Sequence, residues 1–282
     1  RDHFGEHKTE IISCLNSFHG RTLFTVSVGG QPKYSKDYAP LPAGITHVPF
    51  NDVAALKAAV GDKTCAVIIE PIQGESGILP ATQEYLQAAR RLCDKHGALL
   101  ILDEVQTGMG HTGKLFAYEH YGVTPDILSS AKALGSGFPI GAILTTDKIA
   151  PTFGPGTHGS TFGGNPMACA VGSRAFDIIN APETLAHVEQ QGQKLQTALR
   201  ASGEKTGVFK EVRGMGLLLG CVLADKYEGK ASEISAAALK HGLMVLVAGA
   251  NVVRFAPSLL LNDEDMAEGL KRFEAALAEW LT

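Results

Sequence analysis

Two apolar runs of this chain each end in a polar residue. The first covers residues 98–103 and ends in Asp103, and the second covers residues 126–132 and ends in Lys132. Short apolar runs with polar ends are typical of strands that are buried on both faces of a parallel sheet. We therefore predict two parallel strands, the first ending in an acid and the second in a lysine.

The rest of the chain up to about residue 181 alternates predicted strands with predicted helices. The predicted strands cover residues 10–15, 65–70 and 140–145, the predicted helices cover residues 51–60, 84–96, 115–121 and 166–179, and residues 29–49 are predicted to be irregular. This alternation predicts an α/β fold with right-handed crossovers and a mostly parallel central sheet. Ligands of such sheets bind beyond the carboxyl ends of the strands, where Glu70, Asp103 and Lys132 fall.

The pattern changes after residue 181. Strands are predicted over residues 209–213, 217–223, 244–247 and 252–256, and helices over residues 182–202, 231–241 and 263–281. These elements predict a compact α+β layer. We therefore predict a large domain over residues 1–181 and a smaller C-terminal domain over residues 182–282, within the size range of ordinary domains.

Charge and composition narrow the classes of partner. The net charge is −4, from 29 acidic and 25 basic residues, and the sequence has no basic tail. Nucleic acid and anionic membranes are therefore not expected as partners, and no apolar run has the length of a membrane span. The five cysteines are scattered and form no C-x-x-C motif, which favours free thiols in the reducing cytoplasm.

Asp103 and Lys132 suggest a particular chemistry at the sheet edge. Lysine forms a Schiff base with an aldehyde, and an acid keeps a basic ring nitrogen protonated. Pyridoxal phosphate carries both groups, so these two residues predict a pyridoxal phosphate site. Val105, two residues beyond Asp103, is predicted to pack on the ring, and Gln106 to donate to the ring oxygen.

Six motifs in order carry a resemblance to a known family. They are Asn16-Ser-Phe-His-Gly-Arg-Thr22, Glu70-Pro-Ile-Gln-Gly-Glu75, Asp103-Glu-Val-Gln-Thr-Gly108, Ser130-Ala-Lys-Ala-Leu-Gly135, His158-Gly-Ser-Thr-Phe-Gly-Gly-Asn-Pro166 and Val253-Arg-Phe-Ala-Pro257. The chain resembles the class III, ornithine-type aminotransferases of fold type I, most of all the acetylornithine/succinylornithine group. The resemblance implies helices on both faces of the central sheet.

The resemblance also implies roles for the cofactor-binding residues. Lys132 would form the Schiff base and shuttle the proton, and Asp103 would pair with the pyridine nitrogen. Phe18 would stack on the ring face opposite Val105. Glu70 would lie behind the residues that contact the cofactor and support their positions. Ser160 and Thr161 would reach the cofactor phosphate of a neighbouring subunit, which implies a homodimer with shared active sites.

Three arginine and glutamate positions are implied to bind substrate. Arg21 would clamp the α-carboxylate of the amino donor. Arg254 would bind the α-carboxylate of 2-oxoglutarate or glutamate, and Glu75 would neutralise Arg254 while the amino donor is bound. The implied reaction moves the δ-amino group of N2-acetylornithine or N2-succinylornithine to 2-oxoglutarate, giving the semialdehyde and glutamate in arginine metabolism.

The sequence departs from the family pattern in several places. His111 stands where the group usually has arginine, and Ser76 and Ser136 stand where it usually has glycine. The resemblance also implies that the family's N-terminal part, with a loop that binds the cofactor phosphate, is absent from this chain. The phosphate site of this chain is therefore expected to be incomplete.

Several alternatives stay open from the sequence. Ornithine and 4-aminobutyrate are used by sister enzymes, and a folded, cofactor-free and non-catalytic fragment is a further alternative. A Rossmann dinucleotide site is disfavoured because neither glycine pair completes G-x-G-x-x-G after the first strand. His3-Phe-Gly-Glu-His7 matches a zinc motif by letter, but it contains a helix-weakening glycine.

Overall fold

The computed structural model describes residues 1–282. Its strands are β1 (Glu10–Cys14), β2 (Ile45–Val48), β3 (Thr64–Ile69), β4 (Ile72–Gln73), β5 (Leu79–Pro80), β6 (Leu99–Asp103), β7 (Ile127–Ser130), β8 (Ala142–Thr145), β9 (Phe209–Met215), β10 (Leu218–Leu223), β11 (Leu246–Val247) and β12 (Val252–Phe255). Its α-helices are α1 (Leu23–Val28), α2 (Pro32–Ser35), α3 (Val53–Ala59), α4 (Gln83–His96), α5 (Pro166–Ile179), α6 (Pro182–Thr206), α7 (Ala231–Lys240) and α8 (Asp263–Trp280).

The chain divides into two compact units. The first unit comprises Arg1–Pro71, Ala81–Met109 and Phe116–Asp177, and the second comprises Ile72–Pro80, Gly110–Leu115 and Ile178–Thr282. The main division therefore falls at residue 177, close to the predicted residue 181. The two short segments that join the second unit have no counterpart in the sequence-based division.

The first unit contains a six-stranded sheet in the order β2-β1-β3-β6-β7-β8. All neighbouring strands are parallel except β8, which pairs antiparallel with β7. The mostly parallel sheet that the sequence predicts is therefore confirmed. Since β3, β6 and β7 run the same way, their carboxyl ends and the polar residues that follow them lie at one edge of the sheet.

Helix α4 shows why the periodicity predicted this region well. The Thr82 hydroxyl caps the helix by accepting the Tyr85 N–H at 3.2 Å, which satisfies a backbone donor that has no partner within the helix. Tyr85, Leu86 and Cys93 lie on the buried face. The predicted helix over residues 84–96 is confirmed within one residue.

The prediction of irregular structure over residues 29–49 is wrong. This stretch contains helix α2, a 3₁₀ helix at Lys36–Tyr38 and strand β2. The prolines that suggested loops lie outside β2, which pairs with β1 along Ile45–Val48. The predicted helix over residues 115–121 is a 3₁₀ helix at Ala117–Tyr121.

The second unit is built on a four-stranded antiparallel sheet in the order β11-β12-β10-β9. Its main apolar core includes Val188 and Leu199 of α6, Leu219 of β10 and Phe273 of α8. A smaller apolar cluster joins Ile72 and Ile78 to residues of β10 and β12. The short β4–β5 hairpin is thus packed on the sheet of this unit.

None of the helices combines the length and the apolar character that crossing a membrane requires.

A buried acid, Glu104, fixes the segment that follows β6. Its carboxylate accepts the N–H of Ala117 at 2.9 Å, the N–H of Tyr118 at 2.8 Å and the hydroxyl of Thr107. Burial raises the pKa of Glu104 to about 7, against the effect of these three donors. The carboxyl group therefore ties β6 to the 3₁₀ helix at Ala117–Tyr121 at the cost of burying an acid.

We expect Glu104 to make stability depend on pH. Between about pH 4.5 and 7 the folded chain keeps the Glu104 proton and the unfolded chain has lost it, so the free energy of unfolding falls as pH rises through this window. Between pH 5 and pH 7 the fall should be on the order of 2 kcal/mol, and Glu104→Gln should remove it. Urea unfolding of both proteins at pH 5 and pH 7 measures the difference.

Glu84→Gln provides the control, because it makes the same change at an exposed acid on another element, α4. An equal fall in the unaltered protein and in Glu104→Gln would contradict the assignment to Glu104.

Candidate active site

Asp103 and Lys132 lie at the same edge of the sheet in the first unit. Asp103 is the last residue of β6 and pairs with Ser129 of β7. Lys132 follows two residues after the end of β7 and begins a 3₁₀ helix that ends at Gly135. The expected arrangement of an acid and a lysine beyond neighbouring parallel strands is therefore present.

Three donors surround the buried Asp103 carboxylate. The imidazole Nδ1 of His19 lies 2.8 Å from Oδ2, and the Val105 N–H and the Ser129 hydroxyl each donate to Oδ1 at 3.1 Å. Burial opposes ionisation, but the hydrogen bond and charge of His19 and the other two donors outweigh it and hold the pKa of Asp103 below its usual value. Asp103 is therefore an anion near neutral pH.

His19 is the site residue that sequence reasoning missed. It lies in the segment between β1 and α1, and its side chain is only 2% exposed. Its position inside the Asn16–Thr22 motif was the only indication, and only the fold brings it against Asp103.

Glu70 holds the loop between β1 and α1, which carries Phe18 and His19, at the sheet edge. Glu70 directly follows β3, is 6% exposed and accepts the Phe18 N–H at 2.9 Å. Glu70 therefore contacts the backbone of the loop directly, and its predicted role in supporting the site stays a prediction. The Phe18 ring makes an edge-to-face contact with Tyr34, with ring centroids 5.6 Å apart.

Arg21 rests on aromatic rings next to this loop. Its guanidinium carbon lies 4.3 Å from the centroid of Tyr34 and 5.5 Å from that of Phe18, which is the range of cation–π attraction. Arg21 is exposed, so its planar donors remain accessible. Tyr34 was also missed, because residues 29–49 were predicted to lack regular structure.

Lys132 is presented on an unusual backbone conformation. Its φ angle is +46°, in the left-handed region, and such strain in a residue other than glycine is found preferentially at functional sites. The exposed ammonium donates to Oε1 of Gln106 at 2.6 Å. Gln106 therefore orients Lys132, and its expected contact with a ring oxygen stays a prediction, as does the packing of Val105 on a ring.

Ser136 ends the same turn and also has a left-handed φ, of +44°. Glycine, which the resemblance leads us to expect at this position, adopts this geometry without steric cost.

Ser160 and Thr161 lie apart from these contacts, in an exposed loop before α5. The Ser160 hydroxyl accepts the N–H of Gly163 at 3.1 Å. Their predicted contact with a phosphate in a neighbouring subunit therefore stays a prediction.

Glu75 and Arg254 form an ion pair within the second unit. Arg254 lies on β12, and its Nη1 is 3.2 Å from Oε1 of Glu75. The same nitrogen approaches the carbonyl oxygen of Gly74 at 3.4 Å. The Arg254 side chain is 12% exposed and that of Glu75 is 36% exposed, so the acid is the more accessible partner.

The other departures from the family pattern also lie in the second unit. Ser76 belongs to the turn that carries Glu75, and the carbonyl of His111 accepts the Leu217 N–H at 2.9 Å. The structure gives no reason for serine or histidine at these two positions. No group of three or more His, Cys, Asp and Glu side chains is arranged to hold a metal ion, at His3, Glu6 and His7 or elsewhere.

The residues at the sheet edge fit the cofactor that the sequence suggested. An anionic carboxylate suits a protonated ring nitrogen, since it forms a charge-assisted hydrogen bond with it. The accessible amine of Lys132 suits an aldehyde. Asp103 ends β6 and Lys132 follows β7, so both lie at the carboxyl ends of neighbouring parallel strands, where ligands of such sheets bind.

Comparisons with known proteins give the family. The family model described as "Aminotransferase class-III" matches residues 1–277. An acetylornithine aminotransferase of Neisseria meningitidis serogroup B is 81% identical over 280 residues, which are 99% of this chain and 70% of that protein. A "Succinylornithine transaminase/acetylornithine aminotransferase" of Pseudomonas aeruginosa is 59% identical over 278 residues, covering 99% of this chain and 68% of that protein.

The fold is also similar to a solved structure. The ornithine aminotransferase of Toxoplasma gondii superposes with a TM-score of 0.91 at 32% identity, over 98% of this chain and 66% of that one. The description of that structure reports partial occupancy of PLP at its active site. The family model and the 81% identical relative together show that the chain belongs to the class III aminotransferases.

Proposed function

We propose that this protein is a pyridoxal phosphate-dependent aminotransferase that moves the δ-amino group of N2-acetylornithine to 2-oxoglutarate. The observation that supports this substrate best is the 81% identity with an acetylornithine aminotransferase across 99% of the chain. The 32% identity with an ornithine aminotransferase is much lower. N2-succinylornithine is a second candidate donor, because the 59% identical Pseudomonas relative carries both names.

Different residues of the first unit would bind different parts of the cofactor. Asp103 would pair with the ring nitrogen, Phe18 and Val105 would flank the ring, and Lys132 would hold the aldehyde carbon. When bound, pyridoxal phosphate supplies an electron sink that stabilises negative charge on the carbon beside the transferred nitrogen. Ser160 and Thr161 would contribute to phosphate binding across a homodimer.

Lys132 would move the proton of the reaction. As general base, its amine would take the proton from the substrate carbon that bears the amino nitrogen. As general acid, it would then give that proton to the carbon on the other side of the same nitrogen. Gln106, 2.6 Å from Nζ, would keep the amine directed into the site. An accessible amine on a strained, fixed backbone suits a group that must act at two carbon atoms on either side of one nitrogen.

The substrate carboxylates would be bound by two arginines. Arg21 would bind the α-carboxylate of the acylated ornithine through its planar pair of donors. Arg254 would bind the α-carboxylate of 2-oxoglutarate, which requires Glu75 to leave it. Glu75 is suited to this change, because its side chain is more exposed than that of Arg254.

Replacing Lys132 tests the assignment of the proton-transfer group. Lys132→Ala should lower turnover of N2-acetylornithine with 2-oxoglutarate by roughly 10³-fold or more, since it removes the acid–base group. Glutamate formation measures the loss. Lys148→Ala, which alters another exposed lysine of the first unit, should leave turnover unchanged. Turnover of Lys132→Ala at the level of this control would contradict the role.

Replacing Arg254 tests the change of ion-pair partner. Arg254→Ala should lower the rate constant of the 2-oxoglutarate half-reaction at limiting substrate by roughly 30-fold or more, because a charged partner of the carboxylate is lost. The half-reaction with N2-acetylornithine should lose much less. Rapid-mixing absorbance of each half-reaction gives both values, and equal losses would rule out a role specific to 2-oxoglutarate.

Replacing His19 tests how Asp103 is held in place. His19→Phe should weaken cofactor binding and lower the free energy of unfolding by about 1–3 kcal/mol, because it leaves a buried carboxylate without one of its donors. His19→Asn places an amide donor near the position of Nδ1 and should lose less on both measures. Cofactor titration and urea unfolding at pH 7 compare the two, and equal behaviour would show that the donor is unimportant.

A further inference from the structure

The turn at Gly74–Gly77, which carries Glu75, is held at both of its ends by arginines. At one end Arg254 approaches the Gly74 carbonyl at 3.4 Å and Glu75 at 3.2 Å. At the other end Arg213 of β9 donates to the Gly77 carbonyl from Nε at 3.0 Å and from Nη2 at 2.8 Å. We refer to residues 74–77 as the Glu75 turn.

The register of the sheet explains why two arginines reach the same turn. Gly220 of β10 pairs with Arg213 on one side and with Arg254 on the other. Residues directly opposite each other in an antiparallel sheet project from the same face. Arg213 and Arg254 therefore stand on one face, on either side of a residue that has no side chain.

The missing side chain of Gly220 lets the turn approach the sheet. A Cβ atom at this position would lie 2.9 Å from Cβ of Ile78 and 2.9 Å from Cγ1 of Val252, closer than carbon atoms tolerate. Ile78 directly follows the Glu75 turn and is fully buried. The turn is thus seated on the sheet by an apolar contact between its two arginine contacts.

Arg213 also fits the turn itself closely. Gly77 has a φ angle of +117°, and a Cβ atom there would lie 2.8 Å from Nη2 of Arg213. A guanidinium that directs two donors at one carbonyl is stronger and more directional than a neutral hydrogen bond. Its remaining contact, with Glu211 at 3.3 Å, involves a half-exposed acid and adds little.

We propose that Arg213 is a positioning residue for the Glu75–Arg254 pair. It fixes the far end of the Glu75 turn, so that the Glu75 carboxylate can leave Arg254 and return to it while the turn stays in place. Arg213 touches neither substrate nor cofactor in this role. The inference rests on the proposed exchange of partners at Arg254. It adds the residue that holds the Glu75 turn in place during that exchange.

Arg213→Met and Arg213→Lys form the matched pair of test variants. Methionine keeps an apolar stem without donors, and lysine keeps the charge with a less directional donor. In Arg213→Met the ratio of the two half-reaction rate constants, 2-oxoglutarate over N2-acetylornithine, should change by about tenfold, since charge-assisted hydrogen bonds are lost. Arg213→Lys should fall between Arg213→Met and the unaltered protein.

A double-mutant cycle separates positioning from general stability. If Arg213 acts through Glu75, Arg213→Met should change the ratio much less in a Glu75→Gln background than in the unaltered protein. The same tenfold change in both backgrounds would overturn the proposal. Arg200→Met removes another arginine that contacts the backbone of β9, and it should leave the ratio unchanged.

Hydrogen exchange provides a readout that does not depend on activity. In the cofactor-loaded protein, backbone amides of residues 74–78 should exchange about tenfold faster in Arg213→Met, and less so in Arg213→Lys, because local opening follows the lost contacts. Unchanged exchange in this segment would overturn the proposal. If Arg213→Met does not fold, Arg213→Lys decides by the same two measurements.

Failure of this inference is distinguishable from failure of the proposed function. If the unaltered protein transfers no amine to 2-oxoglutarate, or Arg254→Ala shows equal losses in both half-reactions, the proposed function itself is wrong. If Arg254→Ala behaves as expected while Arg213→Met leaves both the ratio and the exchange unchanged, only the role of Arg213 is wrong.

Discussion

The site depends on keeping a carboxylate charged where little water reaches it. Asp103 is 9% exposed, and an isolated buried charge costs several kcal/mol or is neutralised by a proton. His19, Val105 and Ser129 offset this cost with donors from three different segments of the first unit. The pKa of Asp103 consequently stays below its usual value.

Neighbouring Glu104 shows the opposite balance, since burial prevails over its donors and raises its pKa to about 7. Two adjacent acids at one strand end thus differ in charge, since Asp103 is held as an anion and Glu104 is a buried acceptor with a raised pKa.

In the second unit, too, a largely buried charge is stabilised by a polar partner, but here the partner is itself more exposed. Arg254 is largely buried and has Glu75 as its ion-pair partner. Because Glu75 is more exposed, exchanging this partner for water would cost it little. In the proposed function a substrate carboxylate would then take the place of Glu75 at Arg254. The proposed exchange requires a turn that stays in place, and Arg213 contacts the far end of this turn from the same face of the sheet as Arg254. Asp103 has three donors at its carboxylate, whereas the turn that carries Glu75 is contacted at its backbone by Arg254 and Arg213.

The sequence predicted those parts of the protein that are encoded by local patterns. Apolar runs predicted β3, β6 and β7 and the polar residues at their ends, and apolar residues at helical spacing predicted α4. Strand β2 was missed because glycines and prolines surround it, although its pairing with β1 stabilises it.

Contacts between distant residues could not be predicted from local pattern. His19 lies 84 positions from Asp103, and Arg213 lies 136 positions from Gly77. The inclusion of residues 72–80 in the second unit is of the same kind, since it arises from packing of Ile72 and Ile78 on a sheet encoded much later in the chain.

The most direct test of the account is the choice of amino donor. The cofactor-loaded protein would be mixed separately with N2-acetylornithine, N2-succinylornithine, ornithine and 4-aminobutyrate, and the change in cofactor absorbance would be followed in time. The account predicts the largest rate constant at limiting substrate for N2-acetylornithine, and complete reversal of the absorbance change when 2-oxoglutarate is added. A faster reaction with ornithine or 4-aminobutyrate, or no absorbance change with any donor, would contradict it.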